Sequence, residues 1–344
     1  MEQDARRVRT IADLAQLAGV SPGTVSRALA GKSLVNEQTR QRIKALADEH
    51  GFRPNQMASR LRTRRTGVIG VVVPLGHERR QHLSDPFFMT MLGHLVDALT
   101  ENGYDVMLSR VIPDAEDWLD RVVDSGMVDG VLLIGQSNQY DAIERVARRY
   151  RPLVAWGVTL PGQVHAAVGT DNLAGGRLVG ERLVARGCQR IAFLGDISAP
   201  EIRARYDGVV AAMAEAGLPD APIQLSAHLA SDVMEQEIAA HIDALLHQGG
   251  GQMPICGIAA ASDMIAMTAV RVLADRSIAV PDALAVVGYD DLPLAAQAVP
   301  RLTTIRQDIA AGAKAMVDAL FARLGGEEAG SVVLAPELIT RDSA

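Results

Sequence analysis

From Val68 onward the chain alternates short aliphatic runs with longer stretches of helical period, and this alternation limits the possible folds more than any other feature. Val68–Pro74, Tyr104–Ser109, Asp129–Ile134 and Leu153–Trp156 read as strands, with helices at Pro86–Asn102, Ala115–Asp124 and Tyr140–Arg149 between them. A second set follows. Its strands fall at Ala167–Gly169, Ile191–Leu194, Ile223–Leu225, Ile255–Ala259 and Leu284–Gly288, and its helices at Ala174–Arg186, Arg203–Ala216, Val233–Leu246 and Asp263–Asp275. Parallel strands need long crossovers, and helices supply them, so this pattern predicts an α/β body of doubly wound parallel sheets. Two sets in tandem predict two lobes, with a ligand cleft at the carboxyl ends of the strands.

The first 60 residues have a different rhythm. Ile11, Leu14, Ala15 and Ala18 recur at helical spacing behind a capping Thr10, and Gly19 ends the run. Ser21-Pro22 then supplies a cap and a first-turn proline for a second helix to Leu29, with Val25 and Leu29 facing inward. Two short helices joined by a tight Gly-containing turn form a helix-turn-helix pattern. A third helix is predicted from Asn36 to Gly51, burying Ile43, Leu46 and Ala47.

Charge divides along the same line. Residues 1–65 carry 13 Lys/Arg against 6 Asp/Glu, a balance of +7, and the rest carries 21 against 35, a balance of −14. A basic head on an acidic body points to a polyanionic partner for the head. Apolar residues make up 48% of the chain and charged residues 22%, an ordinary globular balance that argues against a disordered chain. Apolar runs such as Val131–Ile134 fall far short of a membrane span, and no secretory leader is read at the N-terminus. Cys188 and Cys256 are far apart in sequence and lack a CxxC neighbour, so both read as core residues of a reducing, cytoplasmic environment. No nucleotide-loop, nucleophile-elbow or HExxH pattern occurs, Gly249-Gly250-Gly251 reads as a flexible loop after a helix, and the eight histidines lack metal spacing. The expectation is a non-enzyme with no cofactor and no metal.

The segment TIADLAQLAGVSPGTVSRAL, followed by VNEQTRQRIKALADEHGFRPNQMASRLRTRRTGVIGVVVP, resembles the N-terminal region of the lac repressor family of bacterial transcription regulators. The resemblance is dense over residues 9–74 and looser to the C-terminus. It implies that the second helix, capped by Ser21, enters the major groove of double-stranded DNA with Pro22, Gly23, Thr24 and Arg27 near base edges. Arg27 is the side chain able to make a bidentate contact to guanine, whereas Pro22 and Gly23 leave readout to shape. Thr10, Thr24 and Ser26 suit phosphate contacts. The resemblance also makes 55–66 a hinge helix and linker. Asn55 would cap it, Ala58 would permit close approach to its dimer mate, and Leu61 would wedge between the central base pairs from the minor groove.

The body resembles sugar-binding periplasmic proteins, joined to a DNA-binding head at 1–54. The resemblance implies three crossings between lobes, with lobe one at about 67–165 and 303–329 and lobe two at about 166–302 and 330–344. It places Phe87 and Phe88 at the mouth of the first lobe and Trp156 at the end of its fourth strand. It further places Arg205, Ser262, Asp290 and Gln307 around the effector, while Asp291 reads as a structural cap. Gly157 departs from the family, where Asp is common. The whole reads as a cytoplasmic homodimeric repressor of carbohydrate-utilisation genes, binding a palindromic operator and controlled by a sugar-type effector. No lac-type tetramer is expected, since no leucine heptad is read at the C-terminus. The alternative is a cytoplasmic sugar-binding protein whose head docks on another protein.

Overall fold

A computed structural model describes residues 8, 10–29, 35–52, 65–75, 81–136, 138–229 and 233–344. The chain forms two compact units, Met1–Thr66 and Gly67–Ala344.

The first unit holds α1 (Ile11–Ala18), α2 (Pro22–Leu29) and α3 (Glu37–Glu49). Thr10 and Asp13 form a reciprocal capping box at the start of α1, and Gly19, at φ 62°, closes its end. Ser21 Oγ accepts from the Thr24 amide at 3.1 Å, and Asn36 Oδ1 from the Thr39 amide at 2.8 Å, so α2 and α3 start where their side chains offer an acceptor. Arg42 Nη2 donates to the Ala18 carbonyl at 2.7 Å and ties α3 to the exposed end of α1. Leu14, Ala18, Val25, Ala28 and Ile43 form the centre of this unit's core. Leu29 and Leu46 are only half-buried, in contrast to the sequence reading; Ala28, one turn after Val25, is small enough to take the inner place. The segment with Asn55, Ala58 and Leu61 lies outside the described residues.

The second unit runs β1 (Val68–Pro74), α4 (Pro86–Glu101), β2 (Asp105–Val111), α5 (Trp118–Val123), β3 (Gly130–Ile134), α6 (Tyr140–Ala147), β4 (Leu153–Trp156) and β5 (Ala166–Thr170). It continues with α7 (Asn172–Ala185), β6 (Ile191–Leu194), α8 (Pro200–Glu215), β7 (Ile223–Leu225), α9 (Met234–Gln248), β8 (Gly257–Ala260), α10 (Asp263–Asp275) and β9 (Ala285–Asp290). It closes with β10 (Thr303–Arg306), α11 (Ile309–Leu324), β11 (Val332–Leu334) and β12 (Glu337–Ile339). One sheet has the order β11-β5-β4-β3-β1-β2 and the other β12-β10-β9-β8-β6-β7. Every pair is parallel except β10 with β12. Alternate residues of β1 bury on opposite faces of the first sheet, Val71 and Val73 toward α4 and α11, Val72 toward α5 and α6.

The three crossings occur after β5, after β10 and after β11, but the lobe limits need correction. β5 pairs with β4 (Val154↔Ala166), so the first lobe extends through Thr170. β10 pairs with β9 (Thr303↔Val287) and stays in the second lobe; α11 is what returns to the first. β11 joins β5 in the first sheet, and β12 alone carries the chain back. These strands are three to five residues long, and side-chain pattern shows that such a run is a strand without showing which sheet receives it. The helix expected at Ala115–Asp124 is confined to Trp118–Val123.

Two further readings change. Gly249, Gly250 and Gly251 form a tight turn, where a Cβ on Gly249 would lie 1.9 Å from the Gln252 carbonyl. Cys188 is buried, as a core residue should be, but Cys256 is only half-buried, and the two are neighbours. Arg190 lies just before β6, and its carbonyl accepts from the Cys256 thiol at 3.2 Å; the Cys188 thiol, pushed up to about 12 by burial and by Cys256, lies beside Gly257.

Candidate functional site

The carboxyl ends of β1, β3 and β4 face those of β8 and β9 across a cavity whose empty space, including its opening to solvent, is about 790 Å³. Phe87, Phe88, Trp156, Arg205, Ser262, Asp290 and Gln307 all line it. The structure therefore brings the seven residues named from sequence into one place.

The first lobe supplies the apolar wall. Asp85 caps α4, its Oδ1 accepting from the Phe87 amide at 2.9 Å, and this fixes both phenylalanines at the helix start. Phe87 lies 6.0 Å from Phe88 and 6.2 Å from Trp156, ring centre to ring centre. Trp156 also belongs to the core: a Cβ on Gly312 of α11 would sit 2.3 Å from its ring, so only glycine lets that helix support the indole.

The second lobe supplies the polar wall. Arg205 Nε donates to Asn172 Oδ1 at 2.8 Å, its Nη1 donates to the Ala261 carbonyl at 2.5 Å, and its guanidinium lies 3.7 Å over the Tyr289 ring. That leaves it aimed at Asp290, with Nη1 3.9 Å from Oδ1. Asp290 has φ 121°, a left-handed conformation that a non-glycine residue holds only where its surroundings enforce it. The enforcement is visible next door. Asp291 accepts from Arg306 Nε at 2.8 Å and Arg341 Nη2 at 2.6 Å, a structural part played by pairing two arginines and not by the cap foreseen for it. Gln307 Nε2 donates to Asp290 Oδ1 at 2.7 Å. Burial pushes the Asp290 carboxyl up to about 7 against the pull of Arg205 and Gln307. Behind it Asp263 is fully enclosed, accepting from Thr304 Oγ1 at 2.5 Å and the Leu292 amide at 2.8 Å, and burial followed by the nearby Asp290 holds it well above the usual carboxylate range. Ser262 caps α10, its Oγ accepting from the Ile265 amide at 3.2 Å.

Sequence reasoning missed Gln81, Asp85, Glu201 and Met264, which also line the cavity. Asp85 stands inside the SDPFF motif already singled out, and Glu201 lies one turn before Arg205 on the same helix face, so both had a signal in spacing.

In the first unit, Ser21, Pro22, Gly23 and Arg27 are exposed on one face of α2, with Thr24 and Ser26 half-buried and Val25 and Ala28 buried on the other. The Arg27 guanidinium lies beside Gly23, 3.8 Å from where a Cβ would stand, and the Ser21 and Thr24 hydroxyls are 2.9 Å apart. Thr10 is exposed at the start of α1, where its Oγ1 caps the Asp13 amide. The α2 segment from Ser21 to Arg27 thus presents one cation, three hydroxyls and a bare backbone, with no carboxylate among its residues.

Residues 10–55 match the family model of bacterial regulatory proteins of the lacI family, and residues 181–344 match a periplasmic binding protein-like domain. The HTH-type transcriptional regulator MalR of Streptomyces coelicolor is 32% identical over 97% of this chain and 96% of its own length. The regulator CelR of Thermobifida fusca is 31% identical over 99% of both. This chain belongs to the LacI family. LacI-family proteins are DNA-binding transcriptional regulators, not enzymes. A solved complex of the transcriptional regulator CelR with cellobiose superposes with a TM-score of 0.68 at 27% identity, covering 97% of this chain and 99% of that one. The lac repressor dimer bound to operator and an anti-inducer has the same fold, with a TM-score of 0.82 at 24% identity over 97% and 98% of the two chains. Among the described residues no helix is long and apolar enough to cross a membrane.

Proposed function

We propose that this LacI-family chain is a cytoplasmic, homodimeric repressor of carbohydrate-utilisation genes, released from or recruited to a palindromic operator by a sugar bound between its lobes. The observation that carries this reading is the convergence of an aromatic wall (Phe87, Phe88, Trp156) and a polar wall (Arg205, Ser262, Asp290, Gln307) on one cavity. A sugar offers apolar C–H faces and hydroxyl edges; the rings suit the first, and the carboxylate and guanidinium suit the second through charge-assisted bonds. The cellobiose held by CelR and the names of relatives such as the sucrose operon repressor of Streptococcus mutans support the same ligand class.

In the DNA-reading part, 1–54 carries the helix-turn-helix and 55–66 the hinge. Arg27 reads guanine, Pro22 and Gly23 give close approach, and Thr10, Ser21, Thr24 and Ser26 hold phosphates. Asn55, Ala58 and Leu61 are assigned to the hinge, with Leu61 as the wedge in the minor groove. The sugar acts by favouring one arrangement of the lobes, and it can shift operator affinity only by its differential binding to the two arrangements, typically ~1–3 kcal/mol.

The test is fluorescence anisotropy of the full chain on its own upstream DNA, with and without cellobiose, maltose, sucrose or ribose. Tight binding to one fragment that a sugar alters is the expected result. Indifference to every fragment, with or without sugar, rejects the reading in favour of a head that docks on protein. Leu61→Ala is expected to weaken operator binding while leaving the melting temperature unchanged.

A further inference from the structure

The first two turns of α8 present Glu201, Ile202 and Arg205 to the cavity. Arg205 is held on three sides, as described above. Glu201 is not. Its Oε1 is buried and, among the described residues, receives no hydrogen bond. It has crossed to the other lobe, 2.9 Å from where a Cβ on Gly157 would stand; the Gln136 side chain comes within 2.8 Å of the same point. Gln136 offers it no donor, because its Nε2 already donates to the Val158 carbonyl at 2.9 Å and meets His165 Nε2 at 3.0 Å. The bare glycine is therefore what makes room for the carboxylate, and among the described residues nothing there donates to its Oε1. Burial raises the Glu201 carboxyl above its usual range, against its own backbone amide and Arg205.

A desolvated acceptor without a donor opposes the arrangement that encloses it. The described lining residues also hold carboxylates at Asp85, Glu201 and Asp290 against the single guanidinium of Arg205. We propose that Glu201 makes closure of the cleft conditional on its occupant: an uncharged sugar satisfies the carboxylate with a hydroxyl beside Gly157, and a phosphate or carboxylate group at that place is rejected. This rests on the sugar-sensing reading above and adds to it a residue that selects the ligand and couples it to closure.

The test uses the full chain, with melting temperature and calorimetric titration against cellobiose, maltose, sucrose and ribose, and against the monophosphate of whichever binds. Wild type is expected to bind the sugar about ten-fold or more tightly than its phosphate, and Glu201→Gln to lose about ten-fold or more in sugar affinity, the loss of one charge-assisted bond. The variant is also expected to narrow the gap between sugar and phosphate. Its sugar-free melting temperature is expected to stay level or rise, which a merely structural glutamate would not allow. Unchanged sugar affinity in Glu201→Gln, a lower sugar-free melting temperature, or a wild type that takes the phosphate as tightly as the sugar overturns this inference alone. A wild type that binds none of the four sugars overturns the sugar reading, and this inference with it.

Discussion

Asp290 shows how one residue carries both strain and charge. Its carboxyl lies at about 7 in the folded chain against an ordinary 3.8, because burial outweighs Arg205 and Gln307. A raised carboxyl binds its proton more readily when folded, so the stability it lends is complete below about 4 and is lost as pH climbs through 7. Burial raises Asp85 and Glu201 in the same direction. His165 works the other way: burial holds it below its ordinary 6.5 despite Glu144, so its contribution is lost as pH falls through 6.5. Between pH 6.5 and 8 the carboxylates decide. The melting temperature of the effector-free protein should fall over that interval, and Asp290→Asn, which tolerates the same backbone, should flatten the slope in thermal scans. A sugar whose hydroxyl donates to ionised Asp290 should bind more tightly over the same interval, a rise that titrations at the two pH values would show.

At the scale of elements, glycine decides how closely α7 and α8 pack. A Cβ on Gly176 would lie 2.0 Å from the Arg205 carbonyl, and one on Gly208 would lie 2.2 Å from the Leu173 carbonyl. The backbone that carries Arg205 is thus seated directly on α7. Gly176→Ala should force the helices apart, cost ~1–3 kcal/mol of stability and weaken sugar binding. Gly93, exposed within α4 with nothing in reach of a Cβ, makes the contrast. Its change to Ala should stabilise by about 0.5–1 kcal/mol through helix propensity alone. Thermal denaturation of the two variants separates the cases.

Elements and site were legible to different depths. Period placed the strands and helices from β1 to β9, because burial on one face or two leaves a local pattern, whereas β12, three residues long, was not read at all. The sheet that receives β5, β10 or β11 depends on pairing with distant strands and leaves no such pattern. The seven cleft residues were legible through resemblance. Glu201 had only its spacing from Arg205 as a signal, and a glutamate in a first helical turn already has a sufficient explanation in the helix dipole. Its relation to Gly157, 44 positions earlier, appears only once the lobes are folded.

For the whole molecule, the basic head and acidic body set the response to salt. Operator affinity should fall steeply as ionic strength rises, with a log–log slope of ~0.9 per phosphate neutralised, because displaced counterions must be restored. Arg27→Ala should weaken operator binding by ~1–3 kcal/mol and relax the preference at one base pair without abolishing non-specific binding. Anisotropy titrations at several salt concentrations, on operator and on scrambled DNA, measure both.

The three crossings also bear on synthesis. Each lobe is assembled from separated stretches of chain, and the first lacks α11 and its outermost strand until Leu334 has been added. A ribosome therefore releases a complete reading head, with its own small core of Leu14, Val25 and Ile43, long before either half of the sensor can finish folding. During translation the small helical core is thus complete while the cavity between the two sheets does not yet exist.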